Sequence, residues 1–278
     1  MPLDFNQQII DEFRANGGRV GGPFEGGRLI LLTTKGARTG ARHTTPLGYL
    51  PDGGDRLLVI ASANGSPRHP DWYHNLLAEP RVTVEDGVFT YEAEATVLTG
   101  RERDEIFARA AEADPGWAEY RARTTRVIPV VALKEADGGP PGMSSPGTAL
   151  KRLHDAYRRE LAVLRREFAA SGPGIGAQLR INCLTACQGL RYHHTGEEGA
   201  IFPFLADRRP DLAPLLDRLA GEHERIAALL EGLRRTVSDT GADPAAARAE
   251  VTRLTQELER HFDDEEEHLI PALDALAP

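Results

Sequence analysis

Residues 134–149 read KEADGGPPGMSSPGTA, a stretch with no periodicity, dense in glycine, proline and serine. That composition marks a linker, and the character of the chain changes across it. The 278 residues suffice for two domains with cores of their own. The expected division is residues 1–135 and 149–278, with a flexible linker at 136–148.

Before the linker, short β-rich runs alternate with turn signals. They are RLILLTT (28–34), TTPLGYL (44–50), RLLVIAS (56–62), RVTVEDGVFTYEAEATVL (81–98) and RVIPVVAL (126–133). PDGGD after the second run and EDG inside the fourth read as hairpin turns. Helical patterns occupy 5–16, 69–78 and 100–112. The expectation is an α+β domain whose mostly antiparallel strands form a small barrel.

After the linker the strand signals stop. Four helices are expected, at about 149–170, 177–199, 211–236 and 244–270. SGPGIG, a segment holding FPFLADRRP, and SDTGADP separate them. Apolar residues recur at helical spacing in LHDAYRRELAVLRREF and VTRLTQELERHF, and Asp243–Pro244 is a cap-then-proline start. Four helices of similar length with short loops make an all-α antiparallel four-helix bundle.

Within the helical half, HHTGEEGAIFP (193–203) and HFDDEEEHLIP (261–271) share one pattern. His193, Glu197, Glu198 and Pro203 answer His261, Glu265, Glu266 and Pro271 position for position. Histidine and glutamate at i and i+4 share a helix face, with Cβ atoms roughly 6 Å apart. Two lone histidines complete the set. His154 and His193 are equidistant from Pro173–Gly174, and His223 and His261 from Ala242, so each antiparallel hairpin sets a lone histidine level with a histidine–glutamate pair.

His194 lies about 100° around the helix from His193, towards a neighbouring helix and a second metal. Five histidines and two bridging carboxylates suit a pair of iron ions. Glu198, Glu266, Glu267 and His268 are expected to face water. Cys183 and Cys187, one helical turn apart, are either a redox pair or small buried hydrophobes.

Residues 150–275 resemble a hemerythrin-type domain of the histidine–histidine–glutamate class. The resemblance implies a non-haem di-iron centre that handles dioxygen, other small oxidants or iron. His154, His193, His194, His223 and His261 would be terminal ligands, and Glu197 and Glu265 would bridge. The oxygen-carrying members have a second histidine one turn after the third-helix histidine. Here that position is Ala227, and His194 could supply the missing ligand.

In the first half, TTKGARTGARHTTP (33–46) gathers Lys35, Arg38, Arg42 and His43 around two glycines between strands. Cations and hydroxyls on a glycine-permitted loop suit a phosphate, although GxxxxGK[ST] is absent. The proline-started helix of SPRHPDWYHNLLAEP bears Trp72 and Tyr73, aromatics that could face a flat ligand.

LLTTKGARTGARHTTPLGYL, ASANGSPRHPDWYHNLLAEPRVTV and PGWAEYRARTTRVIPVVAL together resemble the deazaflavin-dependent nitroreductase family over nearly all of residues 5–133. The resemblance implies a split β-barrel binding coenzyme F420. The cofactor's phosphate and oligoglutamate tail would meet Lys35, Arg38, Thr39, Arg42 and His43, and its ring would lie near Ser62, Asn64 and Trp72. Quinone or nitroaromatic substrates would sit near Trp117 and Tyr120, where the Tyr120 hydroxyl could donate a proton or simply pack at the barrel edge. His43 stands where many members carry arginine, and Trp117 where well-known members carry tyrosine. F420 and FMN therefore both remain open.

The two resemblances imply an F420-dependent oxidoreductase fused to a di-iron domain. The alternative is a sensor of oxygen, nitric oxide or iron whose barrel only holds a cofactor. The composition narrows the partners. A net charge of −9 offers no footprint for nucleic acid, and no apolar run approaches the ~20 residues of a membrane span. The mixed, acidic N-terminus is unlike a signal peptide, and two cysteines make no disulfide framework. A cytoplasmic location is expected; a homodimer is left open.

Overall fold

The computed structural model describes residues 3–54, 56–136, 146–171, 174–239 and 241–276. The chain forms two compact units, Met1–Pro141 with Gly176–Ile181, and Gly142–Ile175 with Asn182–Pro278. Most of the expected linker, residues 137–145, lies outside the described residues.

The first unit is built on a closed six-stranded antiparallel barrel, and its elements run in the order α1 (Leu3–Ala15), β1 (Leu29–Lys35), β2 (Arg42–Pro51), β3 (Arg56–Ile60), α2 (Asp71–Ala78), β4 (Arg81–Glu85), β5 (Thr90–Leu98), α3 (Gly100–Ala113), α4 (Gly116–Ala122) and β6 (Val130–Glu135). Around the barrel the order is β1-β2-β3-β6-β5-β4.

β1 is buried from Leu29 to Thr34 without alternation. Both of its faces are covered: Ile30 and Leu32 enter the barrel core with Val59, Val84 and Leu133, while Leu29 and Leu31 meet Ile9, Ile10 and Phe13 of α1. β6 repeats this logic, because Val130 and Ala132 pack outward against Ile106 and Phe107 of α3. The EDG signal marks the β4–β5 hairpin, where Asp86 accepts from the backbone N–H groups of Val88 and Phe89. Gly87 is obligatory there: its φ is +93°, and a Cβ would sit 2.6 Å from Gly18 Cα. Helix α4 was not expected, since seven residues behind Pro115 are too few to show a period.

The second unit has four long helices, α5 (Pro146–Ala170), α6 (Ala177–Gly196), α8 (Ala213–Ser238) and α9 (Pro244–Ala275). FPFLADRRP is not simply a connection. A π-helical turn, Glu197–Ile201, carries α6 into a short helix α7 (Phe202–Arg208). Phe202 and Leu205 enter an apolar cluster with Leu150, Leu216, Leu219 and Leu269. Pro203 is tolerated because it lies in the first turn of α7, where no backbone N–H is needed. Helix α9 likewise runs on through Pro271 to Ala275. Among the described residues, no helix is long and apolar enough to cross a membrane.

Candidate metal centre and cofactor site

His154 of α5, His193 and His194 of α6, His223 of α8 and His261 of α9 are all buried, as are the carboxylates of Glu197 and Glu265. The ring nitrogens point at one another. His154 Nε2 lies 3.1 Å from His193 Nε2, and His223 Nε2 lies 3.0 Å from His261 Nε2. Two donors cis on an ion with bonds of ~2.1 Å stand roughly 3.0 Å apart.

Two groups of potential ligand atoms result: His154, His193, Glu197 and Glu265, and His194, His223 and His261. The carboxylates span them. Glu265 Oε1 is 3.4 Å from His223 Nε2 and 3.3 Å from His261 Nε2, while its Oε2 is 3.4 Å from His154 Nε2. Glu197 reaches His193 Nε2 and His223 Nε2 at 3.6 Å with its two oxygens.

His194 Nε2 and all four oxygens of Glu197 and Glu265 are buried without a hydrogen-bond partner among the described residues. Outside this cluster only one Glu250 oxygen shares that condition. A buried polar atom left unpaired is disfavoured by about 1–3 kcal/mol, so five converging on one spot fit a metal pair. The donor set is imidazole and carboxylate with no thiolate, which suits iron. The free cysteines Cys183 and Cys187 are buried and belong to neither group. Cys187 beside it, and then burial, push the Cys183 thiol upward.

Electrostatics set the same groups against each other. Burial, with His154 adding to it, pulls the His193 imidazole down to about 3, and burial with His223 pulls His194 to about 2. Burial, and then Glu265, raises Glu197 well above the carboxylate range. Glu265 opposes its own burial: His223 and His261 hold it far below that range. His193 and His194 thus offer neutral imidazole, the form that binds metal.

In the barrel, the β1–β2 loop closes through Gly36 N–H to Ala41 O (2.7 Å) and Gly40 N–H to Gly36 O (2.8 Å). Buried Asn75 of α2 ties it down, accepting from Ala37 N–H at 3.0 Å and donating to Thr34 Oγ1 at 3.0 Å. Lys35, Arg38 and His43 are exposed and make no ion pair among the described residues. Arg42 is tethered, donating to Thr83 Oγ1 at 2.7 Å.

A second loop, Ala61–Ser66, follows β3. Ala63 and Asn64 adopt left-handed backbone with φ of 47° and 53°. Arg126 pins it, donating to the carbonyls of Ala61 (3.0 Å), Ser62 (2.6 Å) and Ser66 (2.9 Å). Its fourth contact is His69 Nδ1 at 3.0 Å, and burial with this guanidinium lowers the His69 pKa. Helix α4 packs over the turn: Tyr120 O and Arg123 crowd Gly65. Trp117 and Tyr120 meet edge-on at 5.9 Å, half-buried against the Ile60 and Ile106 cluster.

Residues 6–135 match the family described as F420H(2)-dependent quinone reductase, and residues 145–273 match the hemerythrin HHE cation binding domain. An F420H(2)-dependent quinone reductase of Mycobacterium tuberculosis is 37% identical over 125 residues, covering 44% of this chain and 83% of the relative. The chain belongs to the F420H(2)-dependent quinone reductase family. Behind that reductase domain stands a hemerythrin HHE cation-binding domain. A solved F420-H2 dependent reductase, FDR-A, is 38% identical, covering 38% of this chain and 94% of its own, with a TM-score of 0.35. A structure described as a domain-swapped dimer is 34% identical, covering 48% of this chain and 100% of its own, with a TM-score of 0.37.

Of the residues expected at the reductase site, Lys35, Arg38, Thr39, Arg42 and His43 share the β1–β2 hairpin. Ser62 and Asn64 lie on the pinned loop beneath α4, which bears Trp117 and Tyr120. Trp72 needs correction. It is 6% exposed and packs into the barrel core, turned inward because α2 buries Trp72, Asn75 and Leu76 together. The aromatics outside are Tyr73 and His69, stacked at 4.9 Å.

In the HHE domain, the expectation that Glu198 and Glu266 only face water is also overturned. Glu198 Oε1 lies 2.9 Å from His223 Nδ1, and Glu266 Oε1 lies 3.1 Å from His154 Nδ1. Glu267 and His268 are exposed, as expected. Nothing in the sequence marks Asn75 or Arg126, because their partners lie on distant segments of the chain.

Proposed function

We propose that this chain is an F420-dependent oxidoreductase whose barrel passes electrons from reduced F420 to a quinone, and whose bundle holds two iron ions. The observation that carries the reading is the convergence of orphaned buried Nε2 and carboxylate atoms within a chain of the quinone reductase family. Reduced F420 supplies a hydride, which together with one proton converts a quinone to its hydroquinone.

The chain's own residues supply placement. Lys35 and Arg38 offer uncompensated positive charge to an anionic tail, and His43 a ring N–H beside them. The loop carrying Ser62 and Asn64, pinned by Arg126, provides a rigid seat for a flat ring. Tyr120 would hydrogen-bond the reduced quinone oxygen, and nitroaromatics would be a second substrate class. In the bundle, His154 and His193 would hold one ion and His194, His223 and His261 the other, with Glu197 and Glu265 bridging. Held by these residues, the ions would supply redox chemistry towards dioxygen, and the two sites would serve one flow of electrons.

Purified protein should contain about two irons per chain and oxidise reduced F420 with menadione in steady turnover. Metal-free protein as isolated and after anaerobic Fe(II) loading would refute the iron assignment; absence of turnover would refute the reductase assignment. Reduced-F420 oxidation by dioxygen should fall in a His193→Ala, Glu197→Ala protein that still reduces menadione. An unchanged dioxygen rate would separate the two sites.

A further inference from the structure

The two helical stretches that carry His-x3-Glu-Glu are related residue by residue, and the structure gives the second glutamate a use of its own. Glu198, from the first hairpin, meets His223 Nδ1 of the second at 2.9 Å. Glu266, from the second hairpin, meets His154 Nδ1 of the first at 3.1 Å. Each carboxylate therefore crosses to the lone histidine of the opposite hairpin. The other nitrogen of each of these histidines, Nε2, is the one directed into the cluster.

Helix geometry explains the crossing. In each copy the first glutamate shares the inward face with its histidine at i+4, and the next residue lies about 100° further round, towards the adjacent helix. The rings are also fixed from their flat sides in matching fashion. His154 stacks on Phe262 at 4.2 Å, and His223 stacks on His194 at 4.3 Å. His194 and Phe262 are themselves equivalent positions of the two stretches, so each lone imidazole stacks on that position and meets one outer carboxylate; His223 also stacks on Phe202 at 5.4 Å.

We propose that Glu198 and Glu266 are positioning residues, a reciprocal pair of clamps that orient His223 and His154 towards the metals and couple metal loading to the docking of the two hairpins. A carboxylate on the outer nitrogen fixes the ring's tautomer and orientation and raises its basicity as a ligand. The clamps differ in strength. Glu266 is anchored by Arg158 Nη1 at 2.5 Å and Lys151 Nζ at 3.3 Å, and its side chain is 15% exposed. Glu198 has no such anchor among the described residues, and its side chain is 44% exposed. His261 has an unpaired counterpart of the same device in Glu222, 3.1 Å from its Nδ1; the position matching Glu222 in the first hairpin is Leu153.

The inference rests on the bundle binding two metal ions, so the full-length protein is titrated anaerobically with Fe(II), and in parallel with Co(II) for its visible spectrum. The variants are Glu198→Ala, Glu266→Ala, the two glutamine versions, and Glu267→Ala as a control at an exposed neighbouring position. Wild type and Glu267→Ala should take up two ions alike. Glu266→Ala should weaken one ion 10–100-fold and Glu198→Ala the other by less, the order following their anchoring.

Glutamine, which keeps an acceptor oxygen, should recover part of the affinity, and the Co(II) bands should shift differently in the two alanine variants. If wild type takes up no metal, the di-metal reading itself fails. If wild type binds two ions and both alanine variants bind them equally well, the clamps are refuted. A lowered melting temperature of the metal-free variants with unchanged metal affinity also refutes them, since it leaves only hairpin docking. Should the alanine variants not fold, the glutamine pair decides by the same criteria.

Discussion

The two sites of this chain keep their charges in opposite ways. The barrel displays Lys35, Arg38 and His43 on an exposed loop, where water solvates them whether or not a ligand is present. The bundle encloses five imidazoles and two carboxylates, and leaves five inward atoms with nothing to bond. Exposed charges of that kind are nearly neutral for stability, whereas the buried cluster is a standing conflict that a bound cation would relieve. Changes at the first should affect binding alone. Changes at the second should move binding and stability in opposite directions.

The sharpest way to break that contrast is Glu197→Met. It removes the carboxylate that reaches both His193 and His223 and should abolish uptake of at least one ion, read by metal analysis. The same change should stabilise the metal-free protein, by about 1–4 kcal/mol if it follows other replacements of buried ionic groups by apolar ones. A metal-free melting temperature that falls would mean that the carboxylate is satisfied after all.

At the barrel the matching experiment is Lys35→Ala with Arg38→Ala. Losing a charge-assisted contact of ~1.5–3 kcal/mol at each position should weaken F420 binding at least tenfold per residue. Melting should stay within about 0.5 kcal/mol of wild type. The wild-type affinity should also decline with added salt, because exposed charges are screened. An affinity indifferent to both would place the cofactor's anionic tail elsewhere.

The contrast also decides how much was readable in the sequence. The buried site announced itself, because burying polar residues demands a pattern: a repeated His-x3-Glu and histidines mirrored about two turns. What lay one step outside that pattern was invisible. Glu198 and Glu266 looked like solvated neighbours, since their role depends on which helix stands next to them. The exposed site carried no such demand. A cationic hairpin is common on surfaces, and only the resemblance across three segments gave Lys35 and Arg38 a partner. Trp72 shows the limit of both approaches: an aromatic on a short helix does not reveal which side α2 turns inward. Nor could a spacing rule show that the Glu197–Ile201 π turn would carry the helix past Pro203.

Acid separates the two sites by a smaller margin. His194 has an ordinary pKa of 6.5 when unfolded and about 2 in the fold, because of burial and then His223. The unfolded chain therefore takes up this proton first, and stability is lost as the pH falls below about 6.5 towards 2. His194→Phe installs the residue found at the equivalent position 262 and removes that proton. The difference in melting temperature between metal-free His194→Phe and wild type should grow in favour of the variant as the pH drops from 7 to 4. A pH-independent difference would mean that His194 takes up its proton as readily in the fold as in the unfolded chain.

The smallest expected effect tests whether the barrel site is as unstrained as its solvent exposure suggests. Ala63 holds a φ of 47°, in the region that a Cβ disfavours by about 1–2 kcal/mol. Four contacts from Arg126 hold the segment around it in place. Ala63→Gly should raise stability by roughly 1 kcal/mol, by removing that Cβ conflict. Arg126→Ala should instead release the loop and weaken F420 binding several-fold. Combining them tells where the strain is spent. If glycine at 63 restores F420 affinity to the Arg126→Ala protein, the arginine serves only to hold an unfavourable backbone. If it does not, the guanidinium also fixes the carbonyls of Ala61 and Ser62 in the orientation the ring requires, and strain at the exposed site is part of how it binds.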